Sequence, residues 1–198
     1  MRDPPVARYK ADQKQISREE ILKRAAERFR QDGVGHQRAD AHGGFYAHFA
    51  SREDLIAAAI EYAAESTLDY FREVLAATPE PERLKVLIKT YLRPLHRDHM
   101  GLGCAVSALG PEIARQSEET RRRFDVRGRG MVRLIADHLP PGGAPEDRLD
   151  RASLVFAQMF GTLQLVRIET DPDVAQRLLQ GGRAAALLLA TQPWPQAG

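Results

Sequence analysis

Apolar residues recur with a helical period along nearly the whole chain, and this repeat is the strongest constraint on its fold. After Ser17, for example, the apolar residues that share one helical face are Ile21, Leu22, Ala25, Ala26 and Phe29. No pair of segments shows the alternation of apolar and polar residues that marks neighbouring strands. The sequence therefore predicts an all-α fold.

Capping residues predict where several helices begin. Ser17 precedes Glu20, and Ser51 precedes Asp54, each with the spacing of a capping box. Asp171 precedes a proline, the combination that opens a helix at its first turn. Prolines 79 and 81 and the PPGGAPED segment at 140–147 interrupt the pattern. The predicted helices are approximately 17–33, 51–77, 84–96, 106–114, 124–139, 148–167 and 172–191.

The last two predicted helices are apolar on more than one face. The residues responsible in the first are Leu154, Val155, Met159, Phe160, Leu163, Leu165 and Val166. Those in the second are Ala175, Leu178, Leu179, Ala184, Ala186, Leu187, Leu188 and Leu189. A helix that is apolar most of the way round must be covered on both sides. A homodimer that joins these helices in a four-helix interface meets this need, and a central hairpin within one chain is the alternative.

Charge and composition exclude several classes of protein. The chain has 29 Lys and Arg against 27 Asp and Glu, so no uniformly basic nucleic-acid coat is present, although a local basic patch is compatible with these numbers. Aromatic residues make up 7%, too few for a platform that stacks single-stranded bases. Cys104 is the one cysteine, which fits a reducing compartment. With no signal peptide and no apolar run long enough for a membrane span, we expect a cytoplasmic protein.

Motifs that would indicate an enzyme are absent from the sequence. It has no Gly-x-Ser-x-Gly elbow, phosphate-binding loop, dinucleotide-binding turn or His-Glu-x-x-His motif. Glu112 and Glu119 are isolated acids that we expect to be solvated. His96, His99 and Cys104 have the chemistry of metal ligands, but no second cysteine or carboxylate cluster completes a tetrahedral set. We therefore expect neither an enzyme, nor a metal site, nor a cofactor.

The segment HGGFYAHFASREDL, residues 42–55, has residue types that suit phosphate contacts. Small residues at the start of a short helix allow backbone N–H groups to approach a phosphate, and Tyr46, His48 and Arg52 add side-chain donors. Phe45 and Phe49 would anchor this helix to the rest of the bundle. A surface turn with an incidental tyrosine is the alternative.

Two motifs, SREEILKRAAERFRQDG and GGFYAHFASREDL, resemble the N-terminal domain of TetR-family transcriptional repressors. The resemblance implies an all-α homodimer with an N-terminal three-helix helix-turn-helix domain at 1–56, an arm at 1–16, and a larger domain at 57–198 for effector binding and dimerisation. The recognition-helix positions that it implies are His42, Gly43, Gly44, Tyr46, Ala47 and His48. Arg52 would contact phosphate, and the arm residues that would contact the backbone or minor groove are Arg8, Lys10 and Lys14.

The interval between Gly33 and Tyr46 departs from the family pattern. It is about eight residues shorter than the resemblance implies, and the missing part corresponds to most of the second helix and its turn. Either the helix-turn-helix is degraded, or residues are missing from the sequence as it stands. Omission is the favoured interpretation because the flanking motifs are intact.

The segment around Cys104 resembles the subgroup of N-ethylmaleimide-responsive repressors, through its Gly-Cys step and the SEETRRRF motif. The resemblance implies that Cys104 senses electrophiles. Gly101 and Gly103 would leave the thiol open, and a helix N-terminus would lower its pKa. An inert, buried cysteine is the alternative. By family position, the residues expected to line an effector cavity, unless they form an ordinary core, are Tyr91, His96, Met100, Cys104, Phe124, Met131, Phe156 and Phe160.

The sequence thus favours a regulator that binds a palindromic double-stranded DNA operator as a dimer, represses transcription, and is released by a small hydrophobic or electrophilic effector. The alternative is an all-α dimeric module that binds a ligand or a protein and has impaired DNA binding. The short interval after Gly33 is the reason for keeping this alternative.

Overall fold

The computed structural model describes residues 6–34 and 48–194, which contain nine α-helices and no β-strand. The all-α prediction is therefore confirmed. The helices are α1 (Val6–Asp32), α2 (Arg52–Ala76), α3 (Arg83–Tyr91), α4 (Pro94–Asp98), α5 (Ala105–Ile113), α6 (Glu118–Gly128), α7 (Gly130–Asp137), α8 (Pro145–Ile168) and α9 (Pro172–Thr191). Short 3₁₀ turns occupy Glu80–Glu82 and Met100–Leu102.

Helix α2 contributes to two hydrophobic clusters and so connects the N-terminal and C-terminal helices. Its first half, including Ile56 and Ile60, packs with α1 and α5. Its second half, including Leu68 and Phe71, packs with α3, α7, α8 and α9 in the larger cluster. The boundary expected at residue 56 falls inside this continuous helix. A displacement of α2 would therefore change the packing of both clusters.

Two of the predicted helix starts are confirmed by hydrogen bonds. The Ser51 hydroxyl accepts a 3.0 Å bond from the Asp54 N–H at the start of α2. The Asp171 carboxylate accepts bonds from the N–H groups of Asp173 and Val174, at 2.8 and 3.1 Å, at the start of α9. These acceptors satisfy backbone donors that have no partner within the helix.

The predicted start of α1 at Ser17 is wrong, because the helix begins at Val6. No proline or glycine lies between these positions, and the intervening residues, which include Lys10 and Lys14, tolerate a helix well. A capping residue stops a helix only where the preceding chain turns away. The expected arm at 1–16 is therefore helical from Val6 onward.

Three other boundaries differ from the prediction. The helix expected over 84–96 is divided, because α3 ends at Tyr91 and Pro94, which has no N–H, opens α4. The helix expected over 124–139 is divided at Arg129 into α6 and α7. The last loop ends at Ala144, so α8 begins at Pro145 rather than near Arg148.

Helices α8 and α9 form a closely packed hairpin. A Cβ atom built on Gly182 would come within 2.4 Å of the Thr162 methyl group, so this contact requires a glycine. Arg183 holds α9 against the end of α3 by donating bonds of 2.8 and 2.6 Å to the Leu92 carbonyl. The hairpin is thus fixed to the larger hydrophobic cluster.

The described helices include none that combines the length and the hydrophobicity required for a membrane span.

The Asp171 cap gives a direct test of the α9 boundary. We expect Asp171→Ala to lower the free energy of unfolding by about 1 kcal/mol, because two backbone N–H groups lose their acceptor. Urea unfolding at a fixed protein concentration measures this loss. Asp173→Ala, which removes the same charge without removing a cap, should cost less than about 0.5 kcal/mol. Equal losses in the two variants would contradict the assigned cap.

Candidate functional site

Most of the predicted recognition-helix positions lie outside the described residues. These are His42, Gly43, Gly44, Tyr46 and Ala47. Lys10 and Lys14 lie on α1, and Lys14 is exposed. His48 and Arg52 border the segment on its C-terminal side. The DNA contacts expected of these residues therefore stay predictions.

Phe49 anchors the chain where it re-enters the described structure. Its ring is buried in the cluster formed by α1, α2 and α5. The Arg18 guanidinium lies 5.0 Å from the centre of this ring, on the α1 side. Phe49 is therefore buried as the sequence predicted, whereas Phe45 and the short helix that both residues would anchor lie outside the described residues.

The residues that flank the 35–47 interval, Val34 and Arg52, are joined to each other and to α5 by hydrogen bonds. Arg52 donates a 2.9 Å bond to the Val34 carbonyl, and the Val34 N–H donates a 2.6 Å bond to the Glu112 carboxylate on α5. Glu112 is therefore not the solvated acid that the sequence suggested, because it holds the end of α1. These bonds couple the end of α1 to α2 through Arg52 and to α5 through Glu112.

A cavity of about 360 Å³ lies between α1 and the helices that follow α2. This volume is at the lower end of the range for small-molecule sites. Helix α1 supplies one wall, and α2, α3, α4 and the turn at 99–104 supply the others. The lining residues are Lys23, Glu27, Arg30, Tyr62, Ser66, Thr67, Tyr70, Phe71, Thr90, Arg93, Leu95, His96, His99, Leu102, Gly103 and Cys104.

Arg30 is the buried link between α1 and the far wall of this cavity. Its guanidinium donates a 2.6 Å bond to the Gly101 carbonyl and a 3.4 Å bond to the Ala63 carbonyl. Burial lowers the pKa of Arg30, and the nearby Glu27 partly offsets this effect. A Cβ on Gly101 would lie 3.2 Å from the Glu27 carbonyl oxygen, so a glycine permits the close approach.

His96 forms part of the cavity floor in a fixed, neutral form. Its Nδ1 donates a 2.7 Å bond to the Tyr91 carbonyl, and its Nε2 accepts a 2.9 Å bond from the Cys104 N–H. Burial lowers the pKa of His96 to about 4, and the charges of Arg167 and Arg93 act in the same direction. The ring is therefore uncharged at neutral pH.

These bonds also account for Gly103 and argue against a metal site. A Cβ on Gly103 would lie 2.7 Å from the His96 ring, so glycine makes room for the imidazole. Both ring nitrogens of His96 are used, which leaves no lone pair for a metal. Among the described residues, no group of three histidines, cysteines or acids is placed to hold a metal ion.

Cys104 is not the open, acidic thiol that the sequence suggested. The residue is 4% exposed, and burial raises the pKa of its thiol despite hydrogen bonds that favour the thiolate. The space beside Gly103 is occupied by the imidazole of His96, so this glycine does not open the thiol to solvent. Cys104 does occupy the N-cap position of α5, but burial outweighs the hydrogen bonds from Ser107 and Val106 that lower its pKa.

A polar cluster lies behind this floor. The buried Tyr91 hydroxyl lies beside the Cys104 thiol and the Ser107 hydroxyl, and no described residue completes a hydrogen bond of good geometry with it. Arg167 on α8 donates bonds to the carbonyls of Ser107 and His96, at 2.8 and 3.1 Å. The floor is thereby connected to the α8–α9 hairpin.

The structure brings together only part of the predicted cavity set. His96 and Cys104 line the cavity, and Tyr91 packs directly behind them. Phe156 contacts Tyr91 from α8, with ring centres 5.8 Å apart, and Met131 belongs to the same hydrophobic cluster as Cys104. Six of the eight predicted effector-contact residues do not line the cavity: Tyr91, Met100, Phe124, Met131, Phe156 and Phe160. Effector contact by any of the eight stays a prediction.

The polar and aromatic wall from α1, α2 and Arg93 was not predicted from the sequence. Its members include Lys23, Arg30, Tyr62 and Tyr70. On α1, Lys23, Glu27 and Arg30 recur at helical spacing, which is typical of one face. The sequence alone did not indicate what that face opposes.

Comparisons with known proteins identify the fold but no relative of high sequence identity. No protein-family model and no curated protein matches the chain. The reduced form of E. coli NemR is 19% identical with a TM-score of 0.70, over 89% of this chain and 98% of that one. A TetR-family regulator from Cytophaga hutchinsonii is 14% identical with a TM-score of 0.73, over 91% and 98%.

A third solved structure is Bacillus subtilis FadR in complex with stearoyl-CoA, 17% identical with a TM-score of 0.61, over 86% and 96% of the two chains. All three similarities span most of both chains. The protein therefore has the fold of TetR-family transcriptional regulators.

Proposed function

We propose that the protein is a ligand-responsive transcriptional regulator whose effector binds in the 360 Å³ cavity. The observation that carries the proposal is the position of this cavity between α1, which precedes the predicted DNA-binding segment in the chain, and α2, α3, α4 and the turn at 99–104. A ligand there contacts both parts at once. The fold shared with solved regulators supports this role, as does the ligand held by FadR.

The regulation that we propose is a shift between two states. Arg30 and the Val34–Glu112 bond hold α1 in one position relative to the turn at 99–104 and α5. An effector that binds better when α1 is displaced would draw the protein toward that state. Its differential affinity for the two states sets the loss of DNA affinity.

The partner that we propose is a palindromic double-stranded operator, bound in the cytoplasm by a repressor dimer. Tyr46 and its neighbours would contact successive major grooves, and Lys10, Lys14 and Arg52 would contact phosphate. The short interval between Gly33 and Tyr46 favours the second candidate, a ligand-binding dimer with impaired DNA binding.

The same proposal places the dimer interface on the open face of the α8–α9 hairpin. Exposed apolar residues follow this face at heptad-like spacing: Leu154, Ala157, Leu165 and Ile168 on α8, and Ala184 and Leu188 on α9. A Cβ on Gly161 or Gly181 would meet nothing within 4 Å, which leaves room for another helix. The stripe is self-complementary when a second copy is turned by a two-fold axis.

The operator contacts can be tested with DNA from upstream of the protein's own gene. We expect binding that weakens steeply with salt, because phosphate contacts release counterions. Tyr46→Phe should weaken binding by about tenfold, because a hydroxyl bonded to a charged phosphate is lost. Tyr70→Phe, which removes a hydroxyl from the cavity, should leave DNA affinity unchanged. Wild-type affinity no better than for random duplex would favour the second candidate.

The interface can be tested by sedimentation. Leu165→Glu with Leu188→Glu should convert a dimer into a folded monomer, because the new carboxylates would be buried without partners. Ile16→Glu is the matched control, because Ile16 is also an exposed, large apolar residue but lies on α1, and this variant should remain dimeric. A double variant that stays dimeric would place the interface elsewhere.

The buried thiol gives a test of whether the effector is an electrophile. We expect N-ethylmaleimide to react with native Cys104 at least about tenfold more slowly than with the urea-unfolded chain, because burial raises its pKa and restricts access. Mass spectrometry follows the reaction, and Cys104→Ser should not react. Rapid native alkylation that also releases DNA would instead identify an electrophilic effector.

A further inference from the structure

We propose that the effector is an amphiphilic organic acid whose carboxylate binds Arg93 and whose apolar chain lies along the aromatic wall of the cavity. This inference rests on the proposed function for the role of the cavity, and on the cavity's own charges for the class of ligand.

Arg93 is a cation without an anionic partner. Its guanidinium lies 5.2 Å from the centre of the Tyr70 ring, and its Nε atom is buried without a hydrogen-bond acceptor among the described residues. No ion pair within the described chain involves it. A partly buried donor with no acceptor is costly, and a planar guanidinium is suited to binding a carboxylate. Arg93 therefore has capacity for an anion in the cavity.

The other cavity charges reinforce this preference. Lys23, Arg30 and Arg93 line the cavity, against Glu27 as the one lining acid. Glu27 interacts electrostatically with Arg30, whose own hydrogen bonds go to neutral carbonyls. Lys23 and Arg93 consequently remain uncompensated. This excess of positive charge attracts an anion and repels a cation.

The rest of the wall suits an apolar chain. Tyr62, Tyr70 and Phe71 supply aromatic side chains from α2, and Leu95 and Leu102 add aliphatic ones to the lining. These two leucines are 49% and 73% exposed, so a ligand would cover apolar surface that now meets solvent. A volume of 360 Å³ holds on the order of a dozen heavy atoms, which corresponds to a medium-chain acid.

Calorimetry with three probes of equal chain length tests the charge preference. The probes are decanoate, decanol and decyltrimethylammonium, each below its micelle concentration and added to the full-length protein without DNA. We expect decanoate to bind at least about tenfold more tightly than decanol, through charge-assisted hydrogen bonds, and decyltrimethylammonium to bind most weakly.

Variants assign the effect to Arg93. Arg93→Met keeps an apolar stem and should make decanoate and decanol bind equally, whereas Arg93→Lys should retain part of the preference. Arg97→Met is the matched control, because Arg97 lies on α4, the short helix that follows Arg93 directly, but pairs with Asp98 and does not line the cavity. It should bind like the wild type. A urea unfolding curve for each variant ensures that only folded protein is compared.

Two results would overturn the proposal: equal affinities of the wild type for decanoate and decanol, or a preference for decanoate that survives in folded Arg93→Met. Either would leave the regulatory function intact if operator binding is still observed. Tight, Arg93-dependent binding of decanoate without any effect on operator affinity would support the ligand class and count against the regulatory function.

Discussion

The burial of Arg30 is the constraint on which the rest of the architecture depends. Arg30 is 6% exposed as a residue, so its guanidinium must find acceptors, and it finds them in the carbonyls of Gly101 and Ala63. These bonds fix α1 at once against α2 and the turn before α5. Arg30 itself lines the cavity together with other residues of α1 and of the turn, so the shape of the cavity and the position of α1 are linked. A ligand that changes one must change the other.

The cavity has a neutral floor and a cationic wall, and this contrast limits its chemistry. Burial keeps His96 uncharged, its Nε2 accepts a bond from the Cys104 N–H, and burial also keeps the thiol beneath it protonated. Neither group can serve as a metal ligand or a ready nucleophile. The charge that faces a ligand comes instead from Lys23 and Arg93.

Local signals in the sequence were sufficient for the fold but not for the cavity. The caps at Ser51 and Asp171 were predictable because the acceptor and the helix it caps are neighbours in the chain. Ser17 misled because a cap signal does not show whether the preceding residues turn away. The role of Gly103 depends on the packing of His96, a contact between different elements. Arg93 could not be recognised as unpaired from sequence, since nothing local shows which acids approach it.

Thermodynamic reciprocity provides the most direct test of the central claim, that the cavity and the DNA-binding surface are coupled. Decanoate affinity should be measured by calorimetry with and without saturating operator, and operator affinity with and without saturating decanoate. The account predicts that each ligand weakens the other by the same factor, about fivefold or more. If both bind and neither changes the affinity of the other, the cavity does not regulate DNA binding and the account is contradicted.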